Sequence, residues 1–561
     1  MLQDQELTET VEAEGHLHHN SNSPVSNLPG DVLLYIFSIN CHLYYDNPHY
    51  PSQTTRRTAQ VCQMWRRLAL SSPTIWADSL DFGDPLPWLN EVILRTGNAP
   101  VKVVFPSVTA EYGQGKILGP WKVMISSVRF HFPRVMVAQA LSESTFDDTK
   151  FGLALSLAER AHTLLVRTSR TQWHNLIQHF HGLSMPHLRT FAVLLDEPRV
   201  PDPVKAFRYP FNIHTPQLRE VFLRRCNSDF SSPYLRNITS LSFQGAEDRE
   251  LLTPSNWLRI LRGMPSLEYL YLDLVPLVKL EDLPDHHAST ESDSLSLPHL
   301  QYFRTCGYFI TCGPIIALLQ VPTTCGMHVI SQIIQDNETF RMMIGNLRRR
   351  CHSAGEAQGF QEAMKALYLT IDLAHMTFSN SKPENREEKT SLTFTFSLLG
   401  AFSMDSIISN LLSVIALLSP GVNELSFERR IGCKANSNNL PETLISEIIE
   451  TLPFTKTENL VIKEEEFLQR ILSAVNRRAK TFGPLFPSLQ IITLQGLILG
   501  PDLLDDEPFQ ELLRFIEQRK VVGFPIKLIE LKDCSESQGV SLKSGRIEQL
   551  ELFVEVVIST S

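Results

Sequence analysis

Apolar residues return at two different periods along this chain, and the change of period divides it. Near the N-terminus Leu28, Val32, Leu33, Ile36 and Phe37 recur at offsets that gather them on one side of a short helix. Pro29 suits the first turn of that helix and Asp31 its positive N-terminal end. A second run, Val61, Cys62, Trp65, Leu68 and Ala69, repeats the rhythm until Pro73, after two serines, stops it. Two amphipathic helices in so short a stretch carry more apolar face than a small unit can bury against itself, which predicts a partner.

Beyond residue 78 the period shortens to that of a strand, and one phrase, L-x-x-L-x-L, keeps returning. Leu188, Phe191 and Val193 make one copy; Leu218, Val221 and Leu223, leading to Cys226, make another. Further copies are Leu267, Leu270 and Leu272; Leu300 and Phe303; Met364, Leu367 and Leu369; Val422, Leu425 and Phe427; Leu489, Ile492 and Leu494; Ile526, Ile529 and Leu531 with Cys534; and Ile547, Leu550 and Leu552. Weaker ones lie at 164–166, 238–243 and 460–462. A helical stretch precedes many of them, such as Trp257, Leu258, Ile260 and Leu261, or Phe509, Leu512, Leu513 and Phe515; another covers Trp173 to Phe180. A strand and a helix cannot bury their apolar faces alone, but stacked units share one continuous core. The expected fold class is therefore α/β: an N-terminal helical module at 25–77 followed, over 78–561, by a divergent leucine-rich-repeat-like solenoid. An irregular α/β domain whose strands share the phrase is the alternative.

Leu28, Pro29, Val32, Leu33, Ile36, Phe37, Val61, Cys62, Trp65, Arg66, Leu68, Ala69, Pro73 and Trp76, taken together, resemble an F-box in the form shared by many fungal F-box proteins. Residues from Pro85 to Val103, with Trp88, Leu89, Leu94, Gly97 and Pro100, resemble the segment that follows it. The resemblance implies a helical module that docks on the Skp adaptor of a cullin-RING ubiquitin ligase, with Leu28, Pro29, Val32, Leu33, Ile36, Phe37, Val61, Cys62, Trp65, Leu68 and Trp76 as the docking residues. The chain departs from the family in three places: Asp31 stands where a glutamate is usual, the stretch from Ser38 to Gln60 is longer than in a compact F-box, and Arg56 and Arg57 occupy expected apolar positions. The residues alone leave open an ordinary helical hairpin inside a larger core.

Composition narrows the classes. At 43% apolar and 20% charged, the 561-residue chain is too apolar for wholesale disorder. A net charge of -10 argues against nucleic-acid binding, which needs clustered Lys and Arg; Arg348, Arg349 and Arg350 read as a solvated helix end. Nine scattered cysteines without C-x-x-C pairs fit a reducing cytoplasmic or nuclear setting. The acidic opening predicts no signal peptide, and the most apolar run, 407–418, is interrupted by Asn410 and reads as a buried helix, not a membrane span. Residues 1–24 are expected to be a disordered acidic tail, and 281–296 and 379–391 exposed loops.

Catalytic patterns are weak throughout. Gly113 to Lys116 lacks the spacing of a phosphate-cradling loop, and His174, His179, His181 and His187 do not match zinc spacing. Cys306 and Cys312 read as core thiols, and no G-x-S-x-G is present. The expectation is a protein without an active site, cofactor or metal. Between the core leucines lie residues on the opposite strand face, among them Glu220, Phe222, Arg224, Tyr269, Tyr271, Asp273, Tyr302, Arg304 and Tyr368; Phe222, Arg224, Tyr269, Tyr271, Tyr302, Arg304 and Tyr368 are the candidate target-binding stripe. For any single one of the aromatics, packing against neighbouring strands or an overlying loop is the favoured reading. The function expected is a substrate-recruiting adaptor of an SCF-type ligase, with the Skp adaptor, the cullin-RING core and an unidentified protein substrate as partners. A non-catalytic repeat scaffold without a ubiquitin role is the alternative, and a hidden hydrolase or transferase the third possibility.

Overall fold

The computed structural model describes residues 24–42, 50–105, 148–168, 180, 183–195, 208–210, 214–224, 227–230, 232–244, 253–274, 294–307, 309–322, 324–331, 366–371, 375–379, 392–397, 423–429, 454–463, 465–482, 486–499, 507–536 and 545–559. These belong to a mixed α/β chain that divides into two compact units, 1–198 with 210–221, and 199–209 with 222–561.

The first unit opens with helices. Gly30–His42 (α1), Tyr50–Thr58 (α2), Gln63–Ser71 (α3), Pro73–Asp78 (α4) and Leu86–Thr96 (α5) lead into strand Val101–Phe105 (β1). Pro73 at the start of α4 and Pro87 in the first turn of α5 fall where a missing N–H leaves no hydrogen bond unmade. Gly97 ends α5 with φ 50°, a left-handed conformation that a side chain would strain. Helix Asp148–Ser156 (α6) precedes strands Ala161–Thr168 (β2) and Thr190–Leu195 (β3), and β1, β2 and β3 pair in parallel. Their side chains at Val101, Val103, Leu164, Phe191 and Val193 are buried.

The second unit is built on a long, mostly parallel sheet. Strand Glu220–Arg224 (β4) spans the division between the units, and Ser240–Gln244 (β5) follows it in the chain. Helix Pro254–Arg262 (α7) precedes Tyr269–Leu274 (β6); then come Tyr302–Gly307 (β7), helix Phe309–Leu318 (α8) and Gly326–Ser331 (β8). The strands Ala366–Ile371 (β9), His375–Ser379 (β10), Leu392–Ser397 (β11), Glu424–Arg429 (β12) and Asn459–Ile462 (β13) lead to helix Glu465–Phe482 (α9). Ile491–Gln495 (β14), helix Glu507–Val521 (α10), Leu528–Lys532 (β15), helix Gly545–Glu551 (α11) and Glu555–Ser559 (β16) complete it. From β5 the sheet order is β5-β6-β7-β8-β11-β10-β9-β12-β13-β14-β15-β16.

Apolar residues, most of them from the repeated phrase, fill one face of this sheet. Leu241, Leu270, Phe303, Met327, Leu425, Leu460, Ile492 and Ile529 are all buried, and Trp257, Leu258, Ile260 and Leu261 turn the α7 face inward, as do Phe509, Leu512 and Phe515 of α10. Cys534 closes the turn after β15 from inside, its thiol donating to the Leu494 carbonyl at 3.3 Å.

Two features depart from the sequence reading. The phrase at Ile547, Leu550 and Leu552 is not a strand: Ile547 and Leu550 lie on α11, Leu552 is in the following turn, and the strand comes later as β16. An i, i+3 pair serves a helix as well as the phrase, and Ile547 and Leu550 turn to the core while Leu552 stays 75% exposed. In the middle of the sheet β9, β10 and β11 stand in reverse order, with β10 antiparallel to both neighbours, so the strand succession is not uniform. The expected tail at 1–23, Gly113 to Lys116, most of 281–296, 380–391, the arginines at 348–350, the run 407–418, Cys226, His174, His179 and His181 lie outside the described residues; Leu295–Ser296 forms a two-residue strand paired with Leu319–Gln320.

Candidate functional site

The N-terminal helices assemble around a small apolar cluster. Asp31 sits in the first turn of α1, where the helix dipole favours its charge. A Cβ on Gly30 would come within 3.2 Å of a Leu68 methyl, so this position allows α1 to approach α3 closely. Leu33, Phe37 and Ile75 form the buried centre, with Leu28, Leu34, Met64, Trp65 and Leu68 packed partly against it. The Cys62 sulfur caps α3 by accepting the Trp65 N–H at 3.5 Å, and the Trp76 indole N–H donates to the Ala69 carbonyl at 2.7 Å.

A cationic stack braces the other side. The Arg95 guanidinium lies 4.5 Å from the Trp76 ring and 5.3 Å from the Trp88 ring, and its nitrogen meets Glu91 at 2.8 Å. Arg56 covers Trp88 at 4.1 Å and reaches the Asp84 carboxylate at 3.8 Å, where the Ser52 hydroxyl also donates at 2.6 Å. Arg56 thus has an internal role that explains a basic residue there, while Arg57 is exposed.

The expected docking residues separate into three groups. Leu33, Phe37 and Trp76 are enclosed by the unit itself; Leu28, Ile36, Cys62, Trp65 and Leu68 are half-buried; Pro29, Val32 and Val61 are exposed. Reasoning from sequence overlooked Tyr35 and Ile39. Val32, expected on the same side as Leu33 and Phe37, instead lies about 100° round the helix from Leu33. With Tyr35 and Ile39 it forms an i, i+3, i+7 row along α1, 39%, 68% and 37% exposed, on the side away from Leu33 and Phe37. Val25 and Leu70 are exposed as well. The signal was present, since α1 is apolar on both sides.

In the second unit the candidate stripe does alternate with the core leucines. Tyr302 stands beside Tyr269, Arg304 beside Tyr271, and Cys306 beside Asp273. The stripe is largely covered: Tyr269, Tyr302 and Arg304 are buried, whereas Phe222, Arg224 and Tyr271 are half-buried; the Tyr368 side chain lies outside what is described. The Arg304 guanidinium is 5.2 Å from the Tyr271 ring, and the Tyr269 hydroxyl donates to Gln301 at 2.5 Å. Burial raises both tyrosine hydroxyls above their ordinary range. Burial, reinforced by Asp273 and opposed by Arg304, pushes the Cys306 thiol up to about 12. His328 and Ser242, unremarked in the sequence, lie in the same cross-strand row as Tyr271 and Arg304 and are also buried.

Among the described residues a hydroxyl meets a histidine ring at an exposed position, where Ser184 lies 3.1 Å from His214 Nδ1, and again beside a carboxylate at Thr163. The Thr163 hydroxyl lies 3.0 Å from His162 Nδ1, and His162 Nε2 lies 3.6 Å from Asp78. The second distance is too long for a hydrogen bond, and the first joins neighbouring residues of one strand. Lys102, in register with Thr163, has its ammonium pKa lowered by burial, with Asp78 opposing. Among the described residues no three His, Cys, Asp or Glu side chains converge as metal ligands, and no helix is long and apolar enough to cross a membrane. No family model and no curated protein matches the chain.

Proposed function

We propose that the chain is a non-catalytic adaptor of an SCF-type cullin-RING ligase, docking on the Skp adaptor through its N-terminal F-box-like helices and holding a protein target with its second unit. The observation that carries the reading is the row Val32, Tyr35 and Ile39, exposed on a helix whose other side is already committed to Leu33 and Phe37. Apolar side chains aligned on a helix favour burial against another surface, and the resemblance over residues 28–76 supplies the kind of surface. Within this reading Leu33, Phe37 and Trp76 hold the module together, while Pro29, Val32, Tyr35, Ile39 and Val61 face the adaptor.

The second unit is read as a divergent leucine-rich-repeat-like solenoid, supported by its succession of parallel strands and by helices such as α7 and α10 placed before the repeated phrase. Its accessible part of the stripe, Phe222, Arg224 and Tyr271, is the proposed contact with the target. Holding the target and the ligase core together raises their effective concentration, so the chain contributes proximity and orientation. A reducing compartment, cytoplasm or nucleus, follows from the same reading.

Co-purification with the Skp adaptor tests it. Wild type is expected to recover the adaptor and the Leu28→Ala, Pro29→Ala double variant to lose it; equal recovery would reject the adaptor reading and leave that of a repeat scaffold. Affinity purification with the proteasome blocked would then identify the target.

A further inference from the structure

Strand β16 pairs in parallel with β15 on one side, and its other edge meets no strand among the described residues. Register sets Val556 beside Ile529 and Ile558 beside Leu531. Ile529 and Leu531 are fully enclosed, yet Ile558 is 46% exposed, so the apolar layer runs out to an open edge. Val557, on the opposite face, is 42% exposed. The Asp533 N–H donates to the Ser559 carbonyl at 3.0 Å. That bond turns the backbone groups of Glu555, Val557 and Ser559 toward β15, and the strand period of two leaves those of Val556 and Ile558 pointing outward. Lys520 lies 5.9 Å over the Phe553 ring, which brings the end of α10 to the turn before β16; Val521, Val522, Phe524 and Leu552 are exposed there. Such an edge is a template for another strand.

We propose that this edge binds a second copy of the chain, β16 to β16, antiparallel about a two-fold axis at Val557. The match of the strand's apolar positions to themselves selects the partner, and charge selects the orientation. A parallel in-register pair would face Glu555 with Glu555, a like-charge contact that destabilises a sheet. The antiparallel pair places Glu555 opposite Ser559, Val556 opposite Ile558, and Val557 opposite its own counterpart. Apolar then meets apolar at the three central positions, and each Glu555 meets a neutral Ser559. The outward backbone groups of Val556 and Ile558 exchange hydrogen bonds across the axis, and the apolar face continues from one copy into the next. Because both copies use the same edge, the assembly closes at two.

Sedimentation velocity on the full chain, from about 1 to about 100 µM, tests the proposal across the range expected of a short-strand contact. Wild type is expected to shift from monomer to dimer with concentration. Val557→Lys sets two ammonium groups face to face and should remain monomeric with an unchanged circular dichroism spectrum. Ser559→Glu should weaken the dimer several-fold by facing Glu555, while Lys532, its neighbour in register, keeps the fold intact. The dyad pair is of the kind that does not exchange hydrogen bonds, with Cα atoms about 4.5 Å apart, so Val557→Cys should give a dimer under oxidant that reductant reverses, and Glu555→Cys should not. A wild type that stays monomeric, a Val557→Lys variant that dimerises like wild type, or equal cross-linking of the two cysteine variants would overturn it.

Discussion

The rings of Phe37 and Trp65 lie 4.8 Å apart with their planes inclined by 53°, joining α1 to α3 through an aromatic contact at the edge of the first unit's apolar cluster. Phe37 is enclosed while Trp65 remains half-buried. Phe37→Ala is therefore expected to cost about 3–5 kcal/mol, through lost transfer energy and the cavity left behind. Urea unfolding followed by tryptophan fluorescence measures this; a loss under about 1 kcal/mol would mean that the contact is peripheral.

Arg95 stacks against two indoles and an adjacent carboxylate. Arg95→Ala should destabilise the first unit by about 1 kcal/mol, and Arg95→Lys should recover only part, because an ammonium cannot lie flat on both rings. Thermal unfolding of the two variants reads the difference, and full recovery by lysine would show that charge alone matters.

Cys306, read from sequence as a core thiol, is half-buried beside Asp273 on the face opposite the core leucines, whereas Cys312 is buried. Cys306 provides a chemical test of that face. With its pKa pushed up to about 12, the thiol remains protonated near neutrality, and the native protein should alkylate at this position far more slowly than the unfolded chain. Peptide mass mapping after brief iodoacetamide treatment follows it. Equal labelling in native and unfolded protein would contradict the raised pKa of this half-buried thiol.

Glu530 gives a pH test. Its carboxyl pKa is held below the ordinary 4.5 first by the hydrogen bond with Lys532, then by that from Thr493, with burial opposing. A folded pKa below the unfolded one adds stability that is complete above the unfolded value and is lost as pH falls through the folded value. The stability gap between wild type and Glu530→Gln should therefore be largest near neutrality and close below about pH 4. Chemical denaturation at several pH values checks this; a gap that widens on acidification would reverse the sign.

The strands were legible in the sequence wherever the leucine phrase was flanked by a separate helix, as at Leu267, Leu270 and Leu272 after α7. They were misread where helix and strand periods coincide, at Ile547 and Leu550. The reversal of β9, β10 and β11 depends on pairing between distant segments, which no local pattern records. The N-terminal cluster was legible in Leu33 and Phe37 because their spacing marks one helix face. Tyr35 and Ile39 escaped because exposure of the opposite face depends on what the remaining helices fail to cover. Burial of Tyr269 and Tyr302 follows the reading in which single aromatics pack against their neighbours. Which members of the stripe stay accessible was not legible, because alternation reveals which face a side chain takes, not what lies over that face.

Isothermal titration of the Skp adaptor against the full chain tests the central claim most directly. Wild type should bind with a negative heat-capacity change from apolar burial, and Val32→Asp with Ile39→Asp, changed on the exposed side of α1, should abolish binding without altering the unfolding midpoint. Unchanged affinity in that double variant, or no binding by a folded wild type, would contradict the account.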